Sequence, residues 1–159
     1  MQSLLPEAES IAALLRAKKH RIVIAESSTG GLISSAFLAQ PGASDYFLGG
    51  AVVYTQASRQ VFLGLEAKDL AGIRPSTEAY AQLAARRARA LFATDWALAE
   101  TGAAGPSGNR YGDAPGHSCI AVAGPKERAI TIETGQSDRV ANMRIFARDA
   151  LRLLEELLR

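Results

Sequence analysis

The sequence predicts an α/β fold, a three-layer α/β/α sandwich with a mostly parallel sheet and an antiparallel edge hairpin. Short apolar segments alternate with amphipathic helical segments in the first half of the chain, which is typical of parallel strands connected by helices. Two later apolar segments flank the turn residues 124–127, which predicts the hairpin. A chain of 159 residues can bury one sizeable core, so residues 1–159 are expected to form a single domain.

Helices and strands are predicted to alternate from the N-terminus. Apolar residues recur at helical spacing near the start, and a β-branched run typical of a buried parallel strand follows. Gly49 and Gly50 interrupt the second strand, which indicates a bulge or a close approach of the backbone. Thr55 is expected to cap the third helix, and Gly64 to end it. The elements predicted for this half are helix 3–18, strand 21–25, helix 31–38, strand 45–54 and helix 56–63.

The second half is predicted to add one long helix, three strands and a final helix. Ser76 is expected to open a helix rich in alanine and arginine, both of which favour helices. Ser137 or Asp138 is expected to cap the last helix, which has a long apolar stripe. The predicted elements are helix 76–92, strand 95–100, strand 117–123, strand 129–133 and the final helix.

Composition excludes several classes of function. The net charge of +2 is too small to indicate a nucleic acid or an anionic membrane as partner. Cys119 is the only cysteine, so no internal disulfide is expected, and its apolar neighbours predict a buried, inert thiol. The N-terminus lacks a signal-peptide pattern and no segment has the length of a membrane span, so a cytoplasmic location is expected.

The two histidines do not indicate a metal site or a catalytic triad. Neither His20 nor His117 has neighbours at metal-ligand spacing, so both are predicted to be ordinary surface or strand-end residues and no metal is expected. With only two histidines and no G-x-S-x-G elbow, a Ser-His-Asp triad is also disfavoured. A hydroxyl nucleophile in this chain would need a lysine or a tyrosine as its base.

Two predicted strands end in polar, glycine-rich segments, which are residues 26–31 (Glu-Ser-Ser-Thr-Gly-Gly) and residues 100–102 (Glu-Thr-Gly). If the strands are parallel neighbours, both segments lie at the sheet edge where open α/β folds bind ligands. A helix that begins there offers backbone N–H groups to an anion. The alternative is structural: a hydroxyl caps the helix and the glycines relax the turn.

Five further residues are candidates for the site: Ser44, Tyr54, Thr55, Arg59 and Arg139. Tyr54 and Arg59 lie close together on either side of the predicted Thr55 cap. The alternative to a functional role for Tyr54 is a strand-end tyrosine with its hydroxyl in water, and the alternative for Arg59 is an arginine on a solvated helix face. Arg139 stands at a helix start, where a cation opposes the helix dipole, so a role in binding an anion is favoured.

An ordered set of motifs resembles the CinA C-terminal domain family over nearly the whole chain. Each motif alone is modest, but the set in this order is specific. Since the sequence lacks the N-terminal molybdopterin-binding-like domain of longer CinA proteins, it resembles the stand-alone form. The motifs are AESSTGGLI at 25–33, PGAS at 41–44, FLGG at 47–50, VYT at 53–55, LGL at 63–65, TGAAGP at 101–106 and SDR at 137–139.

The resemblance implies a nicotinamide-nucleotide amidohydrolase. Such enzymes convert nicotinamide mononucleotide to nicotinic acid mononucleotide and ammonia in pyridine-nucleotide salvage, without a metal or other cofactor. The resemblance therefore implies a small-molecule nucleotide substrate, and it also makes a homo-oligomer the expected state. The family's functional positions fall here on Glu26, Ser27, Ser44, Tyr54, Thr101 and Arg139.

The resemblance also implies roles for these residues. A serine paired with a lysine is the family's proposed nucleophile and base, with Ser44 the favoured nucleophile and Ser27 the alternative. Tyr54 is expected to assist proton transfer or to position the substrate. The residues expected to hold the developing oxyanion, the phosphate or other parts of the substrate are Glu26, Thr29, Gly30, Gly31, Thr101, Gly102 and Arg139.

One catalytic position departs from the family pattern, because Arg59 stands where a lysine is expected. A desolvated lysine can lose its proton, whereas an arginine stays charged, so Arg59 is a poor base but could hold a phosphate or carboxylate. Three hypotheses follow. The chain is the amidohydrolase, or a catalytically impaired member that binds a nucleotide-like ligand, or an amidohydrolase with a different amide substrate.

Overall fold

The computed structural model describes residues 1–159 and contains one five-stranded sheet. The strands are β1 (Ile22–Glu26), β2 (Phe47–Val52), β3 (Trp96–Ala103), β4 (His117–Ala123) and β5 (Arg128–Glu133). Their order across the sheet is β2-β1-β3-β4-β5. Strand β1 is parallel to both β2 and β3, whereas β4 is antiparallel to β3 and to β5. The mostly parallel sheet and the antiparallel edge hairpin are thus confirmed.

Five α-helices cover the two faces of the sheet. They are α1 (Leu5–Lys18), α2 (Leu32–Leu38), α3 (Gln56–Leu63), α4 (Glu78–Phe92) and α5 (Arg139–Leu158). Helices α1, α2 and α5 pack together on one face, and α4 covers the other face with α3 beside it. None of these helices is both long enough and apolar enough to cross a membrane.

The two cores differ in the size of their side chains. The face under α1, α2 and α5 is filled by large residues such as Phe37, Tyr46 and Phe146, all fully buried. The face under α4 is lined mainly by alanines, which let that helix lie close to the sheet, with Tyr80 as its largest buried ring. Each large apolar side chain that is buried contributes about 1.5–3 kcal/mol, so the first face supplies most of the apolar stabilisation.

Several local predictions are confirmed. The pairing of β1 with β2 shifts register at Leu48, since Ile22 pairs with Phe47 and Val23 with Gly49, as expected for a bulge. The Thr55 hydroxyl caps α3 by accepting from the Ser58 N–H. Asp138 caps α5 in the same way, and Cys119 is buried.

Two predictions need correction. The N-cap of α4 is Thr77 rather than Ser76, because Ser76 has a left-handed backbone with φ of +60° and lies just outside the helix. Strand β3 continues past the predicted end at residue 100 to Ala103, because β4 pairs with it along that extension. Both differences lie at the carboxyl edge of the sheet, where β1, β2 and β3 end.

Candidate functional site

The first polar turn is organised by the buried carboxylate of Glu26, at the end of β1. This carboxylate accepts backbone N–H groups at the start of α2, from Gly31 at 3.0 Å, Ile33 at 3.1 Å and Ser34 at 2.8 Å. It also accepts the Thr29 hydroxyl at 2.8 Å. The strand therefore caps the helix that follows it, and the helix dipole stabilises the negative charge.

A second buried carboxylate, Glu100 on β3, binds the same turn from below. It accepts the backbone N–H groups of Ser27 at 3.1 Å and Thr29 at 3.0 Å, and the hydroxyls of Ser28 and of Ser118. Burial raises the pKa of Glu100, while the hydrogen bonds from Ser28, Thr29 and Ser27 act in the opposite direction. Two carboxylates on neighbouring strands thus hold the turn in one conformation.

This network shows where four of the expected substrate-binding residues lie. Glu26 and Thr29 are fully buried, and their polar atoms are bound inside the chain. The Gly30 N–H donates to the Ser27 carbonyl at 3.2 Å, and the Gly31 N–H donates to Glu26. Both glycines have positive φ, which an L side chain rarely adopts, so they shape the turn. None of the four lines the adjoining cleft.

A cleft of about 400 Å³ opens beside this turn, at the carboxyl ends of β1 and β3. Its volume suits a small organic molecule. Its position is the ligand edge that the sequence predicts for an open α/β sheet. Six of the predicted site residues line it, namely Ser27, Tyr54, Thr55, Arg59, Thr101 and Gly102.

The remaining wall comes from residues that the sequence did not single out. They belong to the segment before α4 and to the long connection between β3 and β4. The glycine-rich composition of the connection was the only signal available in the sequence. The residues are Pro75, Ser76, Tyr80, Asn109, Arg110 and Tyr111, and the sides are completed by Val53 and Gln56.

Arg59 is a buried cation at the base of this cleft. Its side chain is on α3, it is 8% exposed, and its Nε donates to the Thr55 carbonyl at 3.3 Å. Its Nη1 is buried without a hydrogen-bond partner. The guanidinium lies 5.4 Å from the centre of the Tyr80 ring, and the buried Tyr80 hydroxyl also has no partner. Burial raises the pKa of Tyr80 although the charge of Arg59 opposes the change, so the phenol stays protonated.

An ion pair holds the connection that forms the outer wall. Arg74 binds Asp113 through two hydrogen bonds of 2.7 and 2.9 Å, and Asn109 donates to the same carboxylate at 2.8 Å. Because of the hydrogen bond from Arg74, the pKa of Asp113 falls to about 2. Arg110 donates to the Tyr111 hydroxyl at 2.9 Å and stays exposed at the mouth of the cleft.

His117 is buried, and this corrects the expectation of an ordinary strand-end residue. Its Nε2 lies 2.9 Å from the Ser76 carbonyl, and its Nδ1 binds the Glu133 carboxylate. Burial lowers the pKa of His117. The hydrogen bonds to Glu133 and Ser76 and the charge of Asp113 together raise it by more, so the pKa lies above the ordinary value. The Ser76 N–H donates to the Thr101 hydroxyl at 3.3 Å. His117 and Thr101 thus hold the left-handed backbone of Ser76 in the cleft wall.

Ser44 lies at the opposite end of β2 from the cleft. It is exposed in a short 3-10 turn, Ala43–Asp45, that precedes β2, whereas Tyr54 follows the strand. A strand of six residues spans about 20 Å, so Ser44 does not reach the cleft of its own chain.

Arg139, at the first position of α5, is also outside the cleft lining. Its Nη1 donates to the Gly105 carbonyl at 2.6 Å, and the residue is exposed. This contact ties the start of α5 to the connection after β3. No group of three or more His, Cys, Asp or Glu side chains is arranged to hold a metal ion.

Sequence and structure comparisons relate this chain to known proteins. A model of the CinA C-terminal domain matches residues 5–158. A CinA-like protein of Gloeobacter violaceus is 37% identical over 92% of this chain, and one of an Anaeromyxobacter species is 35% identical over 95%. The chain spans 35% and 37% of the lengths of these two relatives.

A solved structure has the same fold. The CinA superfamily protein of Klebsiella pneumoniae superposes with a TM-score of 0.90 and is 26% identical, with 98% of this chain and 97% of that one covered. The match to the domain model extends over nearly every element of the fold described above. The chain therefore belongs to the CinA C-terminal domain family.

Proposed function

We propose that this protein is an amidohydrolase that converts nicotinamide mononucleotide to nicotinic acid mononucleotide and ammonia, within pyridine-nucleotide salvage. In a chain of this family, the cleft at the carboxyl edge of the sheet is the observation that best supports this activity. It brings the hydroxyls of Ser27, Tyr54 and Thr101 together with the cation of Arg59. Its size suits a mononucleotide, and its charge suits an anionic one.

In the proposed reaction a serine Oγ attacks the carboxamide carbon and loses its proton to a nearby oxygen base. The tetrahedral intermediate expels ammonia as the carbon–nitrogen bond breaks, and the departing nitrogen takes up the proton. Water then cleaves the acyl-enzyme, which releases the acid and restores the serine. The oxyanion needs donors inside the cleft, and the protonated Tyr80 hydroxyl and Nη1 of Arg59 are both buried without hydrogen-bond partners.

Two serines compete for the role of nucleophile. Ser27 lines the cleft of its own chain, and its hydroxyl is not used in the network below it. Ser44 is the position that the resemblance favours, but it could reach a cleft only from a second copy of the chain. An antiparallel contact between two β2 edges would bring the beginning of one strand beside the end of the other.

The surface beside β2 supports a homo-oligomer of this kind. Strand β2 forms one edge of the sheet, and a mainly apolar hollow of about 480 Å³ lies next to it. Val52, Phe62 and Phe92 are exposed there, and exposed apolar patches of this kind usually mark contact surfaces. We expect a second copy of the chain to cover this surface, and Phe62→Glu to produce monomers in sedimentation velocity.

A second candidate is a protein that binds the nucleotide without hydrolysing it. The observation in its favour is that no lysine, histidine or carboxylate lines the cleft. Arg59 cannot act as a base, and burial keeps the Tyr80 phenol protonated, which leaves the phenols of Tyr54 and Tyr111 as the remaining candidates within one chain.

Ammonia release from nicotinamide mononucleotide distinguishes the two candidates. Turnover that is lost in Ser27→Ala or in Ser44→Ala would support the enzyme and identify its nucleophile. Saturable binding without ammonia release would support the second candidate, and neither binding nor turnover would contradict both.

Mixing two inactive variants tests whether two copies share a site. Ser44→Ala and Tyr54→Phe are purified separately, unfolded together and refolded as a mixture. If Ser44 of one copy works with Tyr54 of another, one of the two sites in a mixed dimer is intact, and activity returns to about a quarter of the wild-type value. Activity that stays at the level of the separate variants would contradict a site shared between Ser44 of one copy and Tyr54 of another.

A further inference from the structure

The guanidinium of Arg59 lacks the counter-ion that a buried charge requires. The side chain is 8% exposed, and its only hydrogen bond is the one from Nε to the Thr55 carbonyl. Arg59 takes part in none of the chain's ion pairs, whereas Arg74 is bound by Asp113. Since a buried cation loses its hydration, it needs an anion close by. The polypeptide does not supply that anion, which points to a ligand.

The surroundings of Arg59 favour an anionic ligand. Arg59 and Arg110 both line the cleft, and no Asp or Glu does. Glu66 borders a smaller hollow on the far side of Arg59, but its carboxylate pairs with Lys68 at 3.0 Å. The cleft itself is therefore positive, and its charges are not neutralised from within.

The two arginines lie at different depths. Arg59 is buried at the base, whereas Arg110 is exposed at the mouth, where its guanidinium packs 5.0 Å from the centre of the Tyr111 ring. A ligand with anionic groups at both of its ends would match both cations. A strongly hydrated phosphate suits the exposed position, and a less hydrated carboxylate suits the buried one.

The immediate neighbours of Arg59 also suit a carboxylate. A guanidinium is planar and presents two parallel N–H donors, which fit the two oxygens of a carboxylate. The Tyr80 ring packs against the guanidinium, and the buried Tyr80 hydroxyl is a further donor without a partner. A neutral carboxamide would place an NH₂ group opposite one of these donors, so it would satisfy fewer of them.

We propose that Arg59 binds a carboxylate at the base of the cleft, so that the cleft holds the acid form of its nucleotide more tightly than the amide form. The identity of the nucleotide rests on the proposed function. The acid form has a carboxylate and a phosphate, one for each arginine, whereas the amide form has only the phosphate. If the protein hydrolyses the amide, the product then remains bound and inhibits the reaction.

Calorimetric titration with nicotinic acid mononucleotide and nicotinamide mononucleotide tests the proposal. A charge-assisted pair of hydrogen bonds corresponds to about a tenfold to hundredfold difference in affinity, and we expect the acid to bind tighter by that factor. Arg59→Gln should bring the two affinities within about threefold of each other, chiefly by weakening the acid. If wild type releases ammonia, the titrations are made in the Ser27→Ala/Ser44→Ala background.

Arg86→Gln is the matched control, because it removes the same charge from an exposed position on α4. It should leave both affinities unchanged. Arg59→Met provides a second test if Arg59→Gln does not fold, since a buried apolar side chain of similar length requires no partner. Circular dichroism and the melting temperature show whether each variant is folded.

Three results would overturn the proposal. Equal binding of the two forms by wild type would mean that no carboxylate is recognised. Equal weakening of both forms by Arg59→Gln would mean that Arg59 contacts the phosphate or another shared group. Failure of both forms to bind would exclude the nucleotide. The proposed hydrolysis is tested separately. Ammonia release together with equal affinities would contradict only the carboxylate site. A tight acid complex without ammonia release would contradict only the hydrolysis.

Discussion

The polar turn after β1 and the cleft beside it contain similar residue types, but they differ in how their polar groups are bound. In the turn, two buried carboxylates accept hydrogen bonds from backbone and hydroxyl donors on every side. In the cleft, the Arg59 guanidinium and the Tyr80 hydroxyl have unpaired buried atoms. A satisfied polar network contributes to folding, whereas unsatisfied buried groups in a cavity indicate a ligand. Substitutions in the two regions should therefore have different consequences.

The largest effect on stability is expected for Glu26→Ala. This change leaves several buried N–H groups at the start of α2 without an acceptor, and we expect the free energy of unfolding to fall by about 3–5 kcal/mol. Urea denaturation measures the change. Glu9→Ala, which removes an exposed carboxylate from α1, should change stability by less than about 0.5 kcal/mol. A loss of under about 1 kcal/mol in Glu26→Ala would mean that the network does not support the fold.

The opposite sign is expected for Arg59→Met in the cleft. Replacing an unpaired buried charge by an apolar side chain is often neutral or stabilising, so stability should be unchanged or rise by up to about 2 kcal/mol. Ligand affinity should fall in the same variant. Urea denaturation without ligand, with Arg86→Met as control, measures the first effect. A destabilisation as large as that of Glu26→Ala would show that Arg59 stabilises the fold and does not serve to bind a ligand.

A smaller effect, which depends on pH, is expected at His117. Its folded pKa is raised, so the stability that it contributes is fully present below its ordinary pKa of about 6.5 and is lost as the pH rises through the folded value. The groups that face it are Glu133, Asp113 and Cys119. The difference in unfolding free energy between wild type and His117→Gln should therefore be larger near pH 6 than near pH 9, by less than about 1 kcal/mol. A difference that grows with pH would contradict this assignment.

The smallest effect is expected from the ion pair in the outer wall. Arg74→Gln removes the partner of Asp113 from an ion pair that is partly exposed to water, so it should lower stability only slightly. Since the pKa of Asp113 is lowered to about 2, its contribution is present above the ordinary carboxyl pKa and is lost as the pH falls towards about 2. The wild-type advantage over Arg74→Gln should thus vanish at low pH, and its persistence there would contradict the ion pair.

Much of the fold was predictable because its signals are local. Helical spacing, β-branched runs and caps such as Thr55 and Asp138 are each encoded within a few residues. The extension of β3 was not predictable in this way, because it depends on pairing with a strand more than a dozen residues later. Gly102 illustrates the point: a Cβ there would lie 2.4 Å from the His117 carbonyl oxygen, a contact that spacing along the chain cannot reveal.

The site was predictable in part. The strand ends indicated the correct edge of the sheet, and Ser27, Tyr54, Arg59 and Thr101 do line one cleft. Sequence pattern could not show that Glu26 points into a helix start instead of into that cleft, because both roles need a carboxylate at the end of a strand. Tyr80, Arg110 and Tyr111 were missed because they reach the cleft through long-range packing and have no motif of their own.

The double anchoring of the turn after β1 gives the cleft one stiff wall. Its opposite wall, formed by the connection between β3 and β4, is fastened partly by the ion pair of Arg74 and Asp113 near the surface. Dissolved salt screens that pair but hardly affects the buried carboxylates. Raising the ionic strength should therefore loosen only the wall formed by the connection between β3 and β4. The ligand should then dissociate faster, while the turn after β1 keeps its shape.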